Sequence, residues 1–239
     1  MLIKGLQKLT LLDYPDRLAC TVFVGGCNFR CPFCHNASLV LPEKFGDTIP
    51  TEEFFAFLDS RIGRLDGVCV SGGEPTLMPD LADFIREIKK RGFLVKLDTN
   101  GARPEVLRSL MDQGLLDYVA MDIKNSPEGY AKTIGLADMP LTSGEVAPQV
   151  TDRVKESVAL LMSGRVDYEF RTTLMRELHS EEDIHAIGKW LRGESKYYLQ
   201  AYRDEGDLLV GGFSAPSDAE MKKYLEIVKN YLPNANIRG

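Results

Sequence analysis

The chain has 239 residues, enough for one large α/β domain or two small ones, and its 44% apolar and 27% charged residues are ordinary for a soluble globular protein. A net charge of −6 argues against non-specific binding to nucleic acid, which needs a basic footprint. No stretch has the length of a membrane span and the N-terminus lacks a signal-peptide apolar core, so five cysteines, an odd number, point to ligation in a reducing, cytoplasmic compartment.

Residues 1–18 read as a leading strand and a turn at Tyr14-Pro15-Asp16, and Ala19 to Val24 as the first strand of the main sheet. Thr51 precedes an apolar-periodic run (Phe54, Phe55, Leu58, Ile62) that has the form of a capped helix. Gly67 to Val70 is a short buried strand. Leu81, Phe84, Ile85 and Ile88 mark a helix face, and Phe93 to Leu97 the next strand. Pro104 to Met111 is a helix with proline in its first turn, and Tyr118 to Ile123 a strand. Residues 125–150 are rich in Gly, Pro and Ser, and read as an inserted excursion. A helix near Val154 to Met162, a strand from Tyr168 to Leu174, a helix near Asp183 to Leu191 and a strand from Tyr197 to Tyr202 follow. Ser217-Asp218-Ala219-Glu220 has the form of a capping box, opening a last helix with Tyr224, Leu225, Val228 and Leu232 on its apolar face. Six strands alternating with six helices, without linker or repeat, imply one domain over 1–239 with a parallel sheet of right-handed βαβ units. Periodicity does not separate a doubly wound sheet from a partial barrel.

The first strand runs into Gly25-Gly26-Cys27-Asn28-Phe29-Arg30-Cys31-Pro32-Phe33-Cys34-His35-Asn36, with three cysteines at C-x3-C-x2-C spacing. Three soft thiolates on one turn suit a metal or an iron–sulfur cluster. A zinc site would need His35 as fourth ligand beside Cys34, and adjacent side chains rarely reach one ion. A redox pair of Cys31 and Cys34 would leave Cys27 without a purpose. A cubane held by three thiolates keeps one iron open for a reactant.

That arrangement resembles the radical S-adenosylmethionine (SAM) motif, with the aromatic Phe33 before the last cysteine, and Cys34-His35-Asn36 resembles the branch that activates glycyl radical enzymes. The resemblance implies a partial (β/α)6 TIM-like barrel with chemistry at the C-terminal ends of the strands. Each polar cluster of this chain does follow an apolar strand. It implies a [4Fe-4S] cluster on Cys27, Cys31 and Cys34, and SAM as cosubstrate.

Ser71-Gly72-Gly73-Glu74-Pro75 follows the second strand, where the superfamily has its motif for the methionine amino group; alone it is a plausible turn. Gly72 and Gly73 would let a ligand approach the backbone, and Glu74 would accept from an ammonium. Asp98-Thr99-Asn100-Gly101 ends the third strand, and matches a pocket motif of the activases that puts Asp98 and Thr99 near the ribose and methionine parts of the cofactor. Asp122 and Lys124, in Met121-Asp122-Ile123-Lys124, share one side of a strand; they read as a surface ion pair or, by resemblance, as cofactor neighbours, in some relatives with a monovalent cation beside the Asp. Arg171 could pair the methionine carboxylate bidentately, with a structural salt bridge as competitor. Gln200 and Arg203 are weaker candidates for the same pocket. Cys20 and Cys69 read as core, and His179 and His185 as structural. Tyr130 could touch a substrate.

The implied enzyme is an oxidoreductase. The reduced cluster passes one electron to SAM, and the 5′-deoxyadenosyl radical released takes a hydrogen from a substrate. The opening Gly5 to Pro15, the cysteine loop and Tyr168-Glu169-Phe170-Arg171-Thr172-Thr173 resemble the anaerobic ribonucleoside-triphosphate reductase activating proteins, with Asp16 where glycine is usual and Phe33 where tyrosine is common. The implied partners are that reductase and a flavodoxin or ferredoxin donor. Three alternatives stand beside this one: activation of another glycyl radical enzyme such as pyruvate formate-lyase, a small-molecule reaction like that of 7-carboxy-7-deazaguanine synthase, and a non-enzymatic protein with a structural cluster.

Overall fold

Short runs of β-branched and apolar residues, such as Cys20 to Val24 and Val68 to Val70, are too brief for buried helices and pair as strands. The computed structural model describes residues 1–135 and 147–238. Its strands are β1 (Ile3–Thr10), β2 (Ala19–Val24), β3 (Gly67–Gly72), β4 (Leu94–Thr99), β5 (Tyr118–Asp122), β6 (Asp167–Leu174), β7 (Lys196–Ala201) and β8 (Ala235–Arg238). The helices are α1 (Ala37–Val40), α2 (Thr51–Asp59), α3 (Leu81–Lys90), α4 (Pro104–Asp112), α5 (Tyr130–Thr133), α6 (Ala147–Met162), α7 (Glu181–Trp190) and α8 (Asp218–Lys229).

All eight strands form one sheet whose spatial order is the chain order. β1 is antiparallel to β2, and β2 through β8 are parallel. A doubly wound sheet would reverse direction at a switch point. Here every crossover advances one strand the same way, so right-handed connections put the helices on one face. β1 and β8 are the two edge strands, and the outer side of β1 is bridged at Ile3 by Ile49. The result is an open, mostly parallel α/β sheet, the partial barrel expected from the resemblance.

Register fixes what each face carries. Val22, Val70, Leu97, Val119, Phe170 and Leu199 alternate toward the helices and are fully buried. The intervening residues, among them Ser71, Asp98, Asp122, Arg171 and Tyr198, line the opposite, concave face. A polar face inside an otherwise apolar sheet is what a site needs.

Several boundaries differ from the sequence reading. Thr51 is the first helical residue, and Pro50 before it provides no side-chain cap. Ile62 lies beyond α2 and is exposed. The capping box at Ser217 forms as read. β8 was not expected: its four residues offer almost no apolar signal, and pairing with β7 makes it a strand. The excursion divides. Residues 125–135 include α5, residues 136–146 lie outside the described residues, and residues 147–150 belong to α6. There Val150, Val154, Val158 and Leu161 continue one buried stripe. Asp16 has φ 57°, the left-handed region that glycine enters most easily.

Candidate active site

The cysteine loop leaves the C-terminal end of β2 and is fixed by backbone bonds from every side. Gly26 N–H donates to Leu39 O at 2.7 Å, Glu74 N–H to Gly26 O at 2.8 Å and Arg30 N–H to Ile134 O at 3.0 Å. The β7–α8 connection closes over the loop, with Leu209 N–H on Cys34 O at 3.1 Å and Val210 N–H on Pro32 O at 2.9 Å. Phe29 N–H donates to Cys27 Sγ at 3.4 Å. All five cysteines are free of disulfides. Cys20 and Cys69 are fully buried among apolar strands, as core residues.

Gly72 and Gly73 explain how the loop sits so close to β3. At Gly72 (φ 119°) a Cβ would stand 2.4 Å from Val24 N, and at Gly73 it would stand 2.1 Å from Gly26 O. The room these glycines leave is thus filled by the chain's own backbone. Glu74 is wholly buried. Its Oε1 accepts from Thr76 N–H (3.1 Å), Thr76 Oγ1 (2.5 Å) and Thr99 Oγ1 (2.8 Å), and its Oε2 from Asn100 N–H (2.6 Å). Burial pushes this carboxyl up against the pull of those donors. No Lys or Arg pairs with it among the described residues, which leaves a buried anion without a counter-charge. Asn100 also donates to Asn28 Oδ1 at 2.9 Å, tying the β4 end to the cysteine loop.

Across the concave face runs a row of alternating charges. Lys96 pairs with Asp98, and Asp98 also accepts from Ser71 Oγ at 2.9 Å. Arg171 Nε donates to Asp122 Oδ1 at 2.9 Å, with its Nη1 3.7 Å from Asp98. Lys124 Nζ donates to Asp122 Oδ2 at 3.0 Å. Burial raises both carboxyls, but the neighbouring cations outweigh it and hold Asp98 and Asp122 below the usual range. Three cations face two anions, so one positive charge is in excess. Lys124 is the outermost member and lies beside Cys31, where burial raises the thiol and the ammonium offsets part of that rise. Arg171, read as the carboxylate ligand, is here the bridge between two aspartates: its structural competitor is the pairing that forms.

Of the sequence candidates, Cys27, Cys31, Cys34, Gly72, Gly73, Glu74, Asp98, Thr99, Asp122, Lys124 and Arg171 converge at this one end of the sheet. Gln200 is the last residue but one of β7 and Arg203 is exposed beyond it. Lys96 and Ser71 were missed, although Lys96 precedes Asp98 by two on a strand, the same spacing that united Asp122 and Lys124. Tyr130 is fully buried, with its hydroxyl against Lys124 N and Asp122 O. His179 is buried, and His185 is exposed against Tyr231.

The donor set suits an iron–sulfur cubane. Burial pushes the Cys27 and Cys31 thiols up to about 12, so only a bound soft cation would make them thiolates near neutrality. Among the described residues no three His, Cys, Asp or Glu side chains stand together around the position of a single ion, so a zinc set with His35 is not formed. A cubane would take Cys27, Cys31 and Cys34 on three separate irons instead of one ion.

Residues 21–186 match the family model of the Radical SAM superfamily, from within β2 to within α7. A Methanocaldococcus jannaschii protein named for glycyl-radical enzyme activation is 33% identical over 240 residues, covering 99% of this chain and 95% of its own. The pyruvate formate-lyase-activating enzyme of Listeria monocytogenes is 32% identical over 155 residues, 58% of this chain and 60% of that one. Among solved structures, Streptococcus suis SuiB bound to S-adenosylmethionine superposes with a TM-score of 0.66 at 14% identity, over 89% of this chain and 48% of that one. That likeness concerns the fold, and this chain spans about half the length of SuiB.

Proposed function

This chain belongs to the radical SAM superfamily and is an enzyme, and from that premise we propose that it activates a glycyl radical enzyme, with anaerobic ribonucleoside-triphosphate reductase as the target. The observation that carries the cofactor part is electrostatic. The cysteine loop lies between a buried carboxylate without a cation (Glu74, beside Cys27) and a row with one cation in excess (ending at Lys124, beside Cys31). A zwitterion complements that pair: its ammonium belongs at the Glu74 end and its carboxylate at the Lys124 end. The methionine part of SAM is such a zwitterion.

In this reading Cys27, Cys31 and Cys34 hold the [4Fe-4S] cluster, which when bound supplies the electron that cleaves SAM to methionine and the hydrogen-abstracting 5′-deoxyadenosyl radical. Gly72, Gly73 and Glu74 set the ammonium end, acting through backbone and field, because Glu74 is wholly buried behind its own hydrogen bonds. Lys124 meets the carboxylate. Arg171 keeps Asp98 and Asp122 ionised and in place, and Thr99 holds Glu74. Asp122 already has Arg171 on one oxygen and Lys124 on the other, so a monovalent cation there would meet two positive charges. Residues 1–239 act as one domain. No helix among the described residues is long and apolar enough to cross a membrane.

For the substrate, the open sheet leaves a lateral gap between β1 and β8, and the polar residues of the concave face are committed to one another. A glycine-bearing loop of a partner protein would fill such a gap and bring its own backbone contacts. Abstraction at a glycine Cα is eased because flanking amides stabilise the radical. The test mixes the protein, anaerobically reconstituted and reduced by flavodoxin or ferredoxin, with SAM and anaerobic reductase. A stable organic doublet should appear on the reductase by electron paramagnetic resonance and collapse to a singlet when its glycine is deuterated at Cα. A radical on pyruvate formate-lyase but not on the reductase would move the target, and turnover of a small metabolite with no protein radical would overturn the activase reading.

A further inference from the structure

Lys124 stands past the end of β5, where the sheet stops holding the chain. The ladder between β5 and β6 ends at the pair Asp122 and Arg171, with one further backbone bond from Ile123 N–H to Arg171 O at 2.7 Å. The next carbonyls are therefore free of backbone partners, and each is caught by a buried side chain. Thr172 Oγ1 donates to Ile123 O at 2.7 Å, and is itself fixed by Tyr197 OH at 2.7 Å. His179 Nε2 lies 2.9 Å from Lys124 O. Tyr130 OH stands 3.4 Å from Lys124 N and 3.5 Å from Asp122 O, accepting from one and donating to the other. Asn125 then binds Thr133 Oγ1 and Leu178 O, both at 2.8 Å.

His179 is the member held at both ring nitrogens. Nε2 lies 2.9 Å from Lys124 O, a carbonyl that only accepts, so the proton belongs there. Nδ1 lies 3.2 Å from Met175 N and 3.3 Å from Met175 O, and in a neutral ring protonated at Nε2 it accepts from the Met175 N–H. The ring is the neutral Nε2–H tautomer, held at both ends and 3% exposed. It sits in the connection between β6 and α7, anchored by the capping box of Ser180 and Asp183 directly after it.

We infer that His179 is a positioning residue: by holding the Lys124 carbonyl it fixes where the Lys124 ammonium stands at the outer end of the charge row, and so sets affinity for the ligand carboxylate. Tyr130 and Thr172 complete the rack. The inference rests on the proposed role of Lys124. A merely structural histidine would stabilise the fold equally whether or not residue 124 were a lysine. A positioning one loses its effect on ligand affinity when Lys124 is absent.

The experiment measures SAM affinity by equilibrium dialysis, on both cluster-loaded and cluster-free protein, for His179→Ala, His179→Gln, Tyr130→Phe, Lys124→Ala and the double variant His179→Ala/Lys124→Ala. Removing the histidine donor should weaken binding about tenfold, the scale of one buried hydrogen bond left unmade. His179→Gln, whose amide can donate to the same carbonyl, should recover most of the loss. Tyr130→Phe, which removes one oxygen and little packing, should give a smaller loss of the same kind and keeps the test open should His179→Ala fold poorly. In the Lys124→Ala background His179→Ala should add nothing. Additive losses, or an unchanged affinity for both His179→Ala and Tyr130→Phe, overturn the positioning role while Lys124 keeps its own. If Lys124→Ala alone leaves affinity unchanged, the assignment of Lys124 falls and the inference falls with it.

Discussion

Replacing Gly73 by alanine isolates the contact between the cysteine loop and the sheet. The backbone of Gly73 is not in the left-handed region, so alanine meets no conformational bar there. The obstacle is steric: the new Cβ would lie 2.1 Å from Gly26 O, 2.7 Å from Gly26 C and 3.2 Å from Leu39 O. All three are backbone atoms, and none can swing aside as a side chain would. Ordinary contact begins at 3.4 Å, so the loop must retreat by about 1.3 Å. That movement stretches the 2.8 Å bond from Glu74 N–H to Gly26 O beyond hydrogen-bonding range. Overpacking of this kind costs about 1–3 kcal/mol and the lost bond about 1 kcal/mol. For a chain of this length, that total lowers the melting temperature by about 5–15 °C. Anaerobic calorimetry of the cluster-free protein measures it, with iron content after reconstitution as second readout. Gly46→Ala, where a Cβ meets nothing within 4 Å, is the control and should melt like the parent. A Gly73→Ala protein that melts within about 2 °C of the parent and takes up full iron would refute the docking argument.

Three further outcomes follow from the same geometry. Arg171→Ala should destabilise by about 3–5 kcal/mol, because it strips a shared cation from two part-buried aspartates, whereas Lys124→Ala leaves Asp122 its arginine and should cost far less in a melt. Reconstitution should give about four irons per chain, abolished by joint replacement of Cys27, Cys31 and Cys34 by alanine but not by Cys20→Ala or Cys69→Ala; eight irons would contradict a single cluster. Urea titrations across pH should show stability falling from about pH 6.5 downward and again below about pH 4. Burial holds the folded His179 below the unfolded value, so acid protonates the unfolded chain first, and depressed Asp98, Asp122 and Glu169 lose their contribution as they protonate. Glu74, raised by burial, opposes this in its own window, because there the folded state takes the proton first. Removal of the upper step by His179→Gln identifies its source.

The sequence by itself pointed to the chemistry. Three cysteines on one short turn read as a ligand set without tertiary information, because their spacing already limits them to one loop. The alternation of strands and helices declared the parallel sheet, and a two-residue spacing united Asp122 with Lys124, because strand side chains repeat every second residue. The same rule would have found Lys96 beside Asp98, had a lysine in an apolar strand been given that weight.

The tertiary structure alone decided the rest. Chain order became spatial order, and with it an open barrel instead of a doubly wound sheet, through the direction of successive crossovers, which periodicity does not encode. It decided that Arg171 bridges two aspartates, since those residues lie 73 and 49 positions away and meet only across neighbouring strands. It decided what the paired glycines are for, because the atoms that exclude a Cβ belong to a loop almost fifty residues earlier. And it brought His179 under Lys124, 55 residues upstream, at the point where the sheet's own hydrogen bonds end. Local spacing specifies which groups can do chemistry; the electrostatic balance among them comes from contacts distant in sequence, and exists only once the strands are side by side.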